Sequence, residues 1–175
     1  MNLPDTFRVL IITLSDRAHS GEYEDISGPE VRNRINEFFL SAEWNYEITL
    51  KLIPDNPSML KDLIINAGEQ YNIIFTTGGT GIGPRDITIE TVRPLLSKEI
   101  PGIMEFIRVK YGMKNPNALL SRGIAGITGR ALIYTLPGSV RAVNEYLDEI
   151  LQTLRHTVMM QYGIDSHKKI SKTGD

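Results

Sequence analysis

With 175 residues, 41% of them apolar and 23% charged, the chain is sized and composed for one globular domain with a substantial core. Lys and Arg total 19 against 21 Asp and Glu, a formal net charge of -2, so there is no basic surplus for nonspecific nucleic-acid binding. The absence of cysteine excludes disulfides, thiolate zinc sites and a cysteine nucleophile.

Phe7 to Leu14 is an apolar run that predicts a buried strand, far too short to span a bilayer, and it ends in the polar pair Ser15-Asp16. The N-terminus lacks the basic start and long apolar core of a signal peptide, so the expected compartment is cytoplasmic. After a loop through Gly21 and Asp25, Ser27-Gly28-Pro29-Glu30 has capping-box spacing, with Val31, Ile35, Phe38 and Phe39 as the apolar face of the helix it opens. Tyr46, Ile48, Leu50 and Leu52 alternate with polar residues, the pattern of a half-exposed strand near a sheet edge. That strand ends at Pro54-Asp55. Asn56 then caps a helix with Pro57 in its first turn and Met59, Leu60, Leu63 and Ile64 on its buried face.

A third apolar run, Tyr71 to Thr76, feeds Thr77-Gly78-Gly79-Thr80-Gly81-Ile82-Gly83-Pro84-Arg85-Asp86. Glycines expose backbone N–H groups with no Cβ in the way, a surface that suits a phosphate. Thr77 and Thr80 add hydroxyls, Arg85 a planar cation and Asp86 an oxygen ligand for a hard cation. Two better-known phosphate loops are excluded. A P-loop requires Gly-Lys-Ser/Thr, and no lysine lies between Ile73 and Ser97; the dinucleotide fingerprint requires glycine spacing that Gly79, Gly81 and Gly83 do not have. The remaining local alternative is a tight strand-to-helix turn.

Thr88 begins a short helix that Pro94 kinks or ends, and Ile103, Phe106 and Ile107 mark another after Pro101-Gly102, stopping near Gly112. Met113 to Ala118 is polar and turn-rich. Gly129-Arg130 turns a short strand into Ala131 to Leu136, whose end at Pro137-Gly138-Ser139 opens a long helix carrying Val143, Leu147, Ile150, Leu151, Leu154 and Val158. The polar tail from 165 to 175 is expected to fray. His19, His156 and His167 lack metal-ligand spacing.

Alternating strands and helices predict a single α/β domain spanning 1–175, with its core at about 7–161: a three-layer α/β/α fold around a mostly parallel sheet. Parallel strands place their following loops on one rim, so Ser15-Asp16, Asp55, the loop from Thr77 to Asp86 and Pro137-Gly138-Ser139 converge. Asp55 and Ser139 also suit helix caps, Ser15-Asp16 a turn, and Ser121-Arg122 a surface pair; those readings stay open.

These segments, together with Leu14 to Arg17, Gly21 to Pro29, Ile53 to Asp55, Ile100 to Gly102 and Ala118 to Arg122, resemble the molybdopterin adenylyltransferase family of molybdenum cofactor biosynthesis. The resemblance covers about residues 7 to 155. It implies magnesium-dependent transfer of AMP from ATP to the terminal phosphate of molybdopterin, a homotrimer, and later molybdate insertion by another protein of the pathway. It implies Asp55 and Asp86 at the catalytic Mg²⁺ end, Thr77, Gly78, Gly79, Thr80, Gly81 and Arg85 around phosphates, Ser15 and Asp16 on the nucleotide side, and Ser121, Arg122, Gly138 and Ser139 at the pterin phosphate. Ile89 departs from the family, which often has proline there. Two other readings share the architecture: a carrier or scaffold that holds the pterin unchanged, and a nucleotide pyrophosphatase.

Overall fold

The computed structural model describes residues 2–164, so the tail from 165 lies outside the described residues. Six strands form one sheet in the order β2-β1-β3-β6-β5-β4. β1 (Phe7–Leu14), β2 (Tyr46–Ile53), β3 (Ile73–Thr77) and β6 (Ala131–Leu136) are parallel neighbours; β5 (Ala125–Thr128) pairs antiparallel with β6, and β4 (Lys98–Glu99) antiparallel with β5. The central strands are buried on both faces, which is why they read as unbroken apolar runs, whereas β2 at the edge alternates.

The pleat sorts each strand's side chains between two layers. Val9, Ile11, Phe75, Leu132 and Leu136 pack with α2 (Ser27–Ala42), α5 (Pro101–Gly112) and α6 (Val140–Gln161). Leu10, Ile12, Ile74 and Ile133 pack with α3 (Pro57–Gln70) and α4 (Thr88–Val92). This is the expected three-layer architecture. Phe7 stacks on Trp44 at 4.7 Å between ring centres and Phe39 on Tyr46 at 4.9 Å. Phe7 and Tyr46 open their strands, so this cluster fastens the rim opposite the strand ends, each pair adding about 0.5–1.5 kcal/mol beyond area burial.

Two local expectations change. The capping box is not formed: the residue before α2 is Ile26, which makes no side-chain cap, and Ser27 instead donates to Asp25 Oδ1 at 3.0 Å while the Gly28 N–H donates to the same oxygen at 3.1 Å. A carboxylate just outside the helix outcompetes the hydroxyl because it also favours the positive helix end. Met59 and Phe106, placed on buried faces by their spacing, are exposed. The turn-rich stretch contains a 3-10 turn, Pro116–Leu120, and the two-residue β4 is too short to leave a sequence pattern. Pro94 does end α4, which tightens into a 3-10 turn at Arg93–Leu95, and Asn56 does cap α3, accepting from the Met59 N–H at 3.0 Å. No helix among the described residues is long and apolar enough to cross a membrane.

Candidate functional site

The carboxyl ends of β1, β2, β3 and β6 lie on one rim, where their loops wall a crevice of about 920 Å³. Ser15, Asp16, Asp55, Thr77 to Asp86, Ser121, Gly138 and Ser139 all border it.

The Gly-rich loop is built around its carbonyls. Gly78 O accepts from Thr88 Oγ1 at 2.8 Å, Gly79 O from the Thr88 N–H at 3.1 Å, Thr80 O from the Arg122 N–H at 3.0 Å and Gly81 O from Arg122 Nε at 2.7 Å. In a trans peptide the carbonyl of one residue and the N–H of the next point in opposite directions. The N–H groups of Gly79, Thr80, Gly81 and Ile82 therefore face away from Thr88 and Arg122, and they donate to no group among the described residues. Four successive unpartnered N–H groups in a loop that walls a crevice can serve as an anion cradle.

The glycines are required by geometry. Gly78 and Gly79 have φ of +103 and +65, and a Cβ would lie 2.4 Å from Leu14 O at the first and 2.4 Å from Thr88 Oγ1 at the second. A Cβ at Gly81 would meet Asp86 Oδ2 at 2.8 Å. Asp86 closes the loop onto itself: its Oδ2 accepts from the Gly83 N–H at 2.7 Å, and its own N–H donates to Gly83 O at 3.0 Å. Thr77 Oγ1 donates to Pro137 O at 2.7 Å and joins the loops after β3 and β6.

Carboxylates gather on the same rim. The Asp16 N–H donates to Asp55 Oδ2 at 3.2 Å and the Asp55 N–H returns a bond to Asp16 Oδ1 at 2.9 Å, while Arg85 pairs with the Asp16 carboxylate. Burial, and after it the charge of Asp86, holds the Asp55 carboxyl above its ordinary value. Two carboxylates that repel each other beside a row of N–H groups fit a divalent cation. No group of three or more His, Cys, Asp or Glu among the described residues could hold a metal, so a cation here would need oxygens from a ligand, the usual habit of magnesium.

Ser15 caps α1 (Asp16–His19), accepting from the Ala18 N–H at 3.2 Å, and lies 2.8 Å from the Tyr23 hydroxyl. Ser139 caps α6 by accepting from the Ala142 N–H at 3.3 Å. Ser121 Oγ accepts from the Tyr146 hydroxyl at 2.7 Å, while burial raises the Tyr146 phenol above its ordinary range. Arg122 is placed differently from the other sequence candidates. Its side chain lies on the outside of the loop against Glu90, bordering a second cleft of about 810 Å³ behind residues 82–86.

Two residues of the assembly carried no assigned role in the sequence. Asp25 ties Thr13 Oγ1, at 2.7 Å from its Oδ2, to the start of α2; an acid just before Ser-Gly-Pro was the available signal. Glu90 had none, because its partner Arg122 is distant in the chain.

A family model described as "Probable molybdopterin binding domain" matches residues 10–156. A protein of Helicobacter pylori named molybdopterin adenylyltransferase is 33% identical over 161 residues, covering 90% of this chain and 89% of its own length. Gephyrin of Dictyostelium discoideum is 38% identical over 155 residues; that alignment covers 85% of this chain, which spans only 21% of gephyrin. A crystal structure titled as the molybdopterin biosynthesis enzyme MoaB of Thermus thermophilus superposes with a TM-score of 0.76 at 40% identity, covering 90% of this chain and 97% of that one.

Proposed function

This chain belongs to the molybdopterin-binding domain family of molybdenum cofactor biosynthesis, and from that premise we propose that it is a molybdopterin adenylyltransferase. The observation that carries the proposal is that Asp55, Asp86 and the unpartnered N–H groups of residues 79–82 border one crevice, where the charge of Asp86 adds to burial in raising the Asp55 carboxyl. A holder of an anionic pterin gains nothing from two mutually repelling carboxylates, whereas joining two phosphates requires a screened meeting point.

In this reading an oxygen of the terminal phosphate of molybdopterin attacks the α-phosphorus of ATP. The new P–O bond forms as the bond from the α-phosphorus to the bridging oxygen breaks, and pyrophosphate leaves with that electron pair. No protein nucleophile is needed, because positioning and electrostatics carry chemistry of this type. The N–H groups of residues 79–82 and the Thr80 hydroxyl hold phosphate oxygens, and Arg85, whose side chain is 67% exposed, exchanges Asp16 for a phosphate. Ser15 and Asp16 serve the nucleotide side; Gly138 and Ser139 serve the pterin phosphate, and Ser121 braces that wall through the Tyr146 hydroxyl. A magnesium ion held by Asp55 and Asp86 would supply the charge neutralisation that lets two anions approach.

Incubation with Mg-ATP and molybdopterin, read by mass, tests the proposal. Adenylylated pterin is the expected product. Pyrophosphate release without it indicates the pyrophosphatase reading, and bound but unchanged pterin the carrier reading. We also propose a homotrimer acting in the cytoplasm that passes its product to a molybdate-inserting partner; sedimentation equilibrium should give three chains, and a clean monomer would refute that state.

A further inference from the structure

The Arg122 guanidinium is surrounded by acceptors. Nε holds Gly81 O at 2.7 Å, Nη2 holds Asp86 O at 3.2 Å, and Nη1 and Nη2 both reach the Glu90 carboxylate, the latter at 3.3 Å. The two carbonyls belong to the Gly-rich loop and Glu90 to α4, the helix whose first residue, Thr88, pins the preceding two carbonyls. Thr88 thus orients the N–H groups of Gly79 and Thr80, and Arg122 those of Gly81 and Ile82. An arginine side chain has many rotamers and loses that freedom only against a fixed partner. Glu90 is that partner, with both oxygens engaged, and Arg122 in turn holds the Glu90 carboxyl below its ordinary value.

We propose that Glu90 is a positioning residue: it fixes the Arg122 guanidinium, which through the Gly81 carbonyl aims the Ile82 N–H at the phosphates of the substrate and through the Asp86 carbonyl steadies the end of the loop, while the Arg122 backbone N–H sets the Gly81 N–H through Thr80 O. This rests on the adenylyl-transfer reading for its substrate and on the loop geometry for everything else. Arg122 is then no phosphate ligand. The Glu90 side chain is 60% exposed, so the pair adds little to stability, and its loss leaves the fold in place while loosening the cradle.

The alternative, in which Arg122 itself contacts phosphate, gives the opposite sign for one variant. Glu90→Ala would then free the guanidinium, remove a nearby negative charge and tighten anion binding. If Glu90 positions, Glu90→Ala lowers affinity for pyrophosphate, measured by calorimetry without magnesium or pterin, by about tenfold. It also lowers kcat roughly 10–100-fold, with a smaller change in KM for ATP. Glu90→Gln, which keeps one acceptor and the same volume, recovers part of both losses, and the melting temperatures of both variants stay near that of the parent. Unchanged or tighter pyrophosphate binding in Glu90→Ala overturns the proposal, as does a parent protein that binds no pyrophosphate. If the parent binds pyrophosphate but forms no adenylylated product, the transfer reading falls, and weaker binding in Glu90→Ala still upholds the positioning role.

Discussion

The parallel strands and the antiparallel β5 serve the same rim by opposite means. β1, β2, β3 and β6 deliver the residues that follow them, Ser15, Asp55, Gly78 and Pro137 onward. β5 runs the other way beside β6, so it is the segment preceding it, Ser121 and Arg122, that arrives at the rim. Trailing loops carry the glycines and carboxylates that line the crevice; the leading segment reaches other protein groups, Tyr146 and the loop carbonyls. Strand direction therefore separates the residues proposed to meet substrate from those that brace them.

Asp86→Asn tests this separation with the largest expected effect. Asparagine keeps an oxygen to accept from the Gly83 N–H, so stability should stay within about 0.5 kcal/mol of the parent. Loss of the carboxylate from the proposed cation site should lower the adenylylation rate by about three orders of magnitude, while pterin binds as well or better. A rate within a few-fold of the parent across a magnesium titration would make Asp86 a structural residue and erase the distinction.

Gly79→Val comes next. Valine must take φ of +65 with its Cβ against Thr88 Oγ1, at a cost of roughly 2–3 kcal/mol in urea unfolding, with weakened nucleotide binding. An unchanged midpoint would mean that the loop can leave Thr88 freely. Ser121→Ala removes the acceptor of the Tyr146 hydroxyl and should cost about 1 kcal/mol, with a far smaller effect on rate than Asp86→Asn. A larger loss of rate than of stability there would place a bracing-side residue in the chemistry.

The same contrast explains what the sequence could reveal. A buried parallel strand is an apolar run, and the polar residues after it announce themselves; this is how Asp16, Asp55 and the Gly-rich loop could be placed together before any coordinates. β5 is only Ala125–Thr128, and nothing in Ser121-Arg122 says that the strand after it reverses direction. Its pairing with Glu90 is a tertiary fact without a local pattern. The missed cap at Asp25 is of another kind: Ser27 and Asp25 both suit the helix start, and the Thr13 hydroxyl on the neighbouring strand end favours the aspartate. Met59 and Phe106 obey helical spacing yet are exposed, because periodicity marks a stripe without fixing how far the neighbouring layer extends over it.

The smallest expected effect concerns proton binding between two trailing loops. Asp55 titrates above its ordinary value, first through burial and then through the charge of Asp86. A group whose folded pKa exceeds its unfolded one contributes stability that is fully present below the unfolded value and is lost as pH rises through the folded value. Asp55 thus favours the folded protein at acid pH and opposes it once ionised, so in the absence of magnesium Asp55→Asn should slightly raise the melting temperature at neutral pH and not at pH below the carboxylate range. The proposed magnesium ion would require the ionised form, so its affinity should fall, as pH is lowered, at a pH above that of an isolated aspartate. Asp86→Asn removes the second cause and leaves the first. NMR titration of the Asp55 carboxyl in that variant should therefore move its midpoint down without reaching the ordinary value, and an unmoved midpoint would show that the two carboxylates do not share a field.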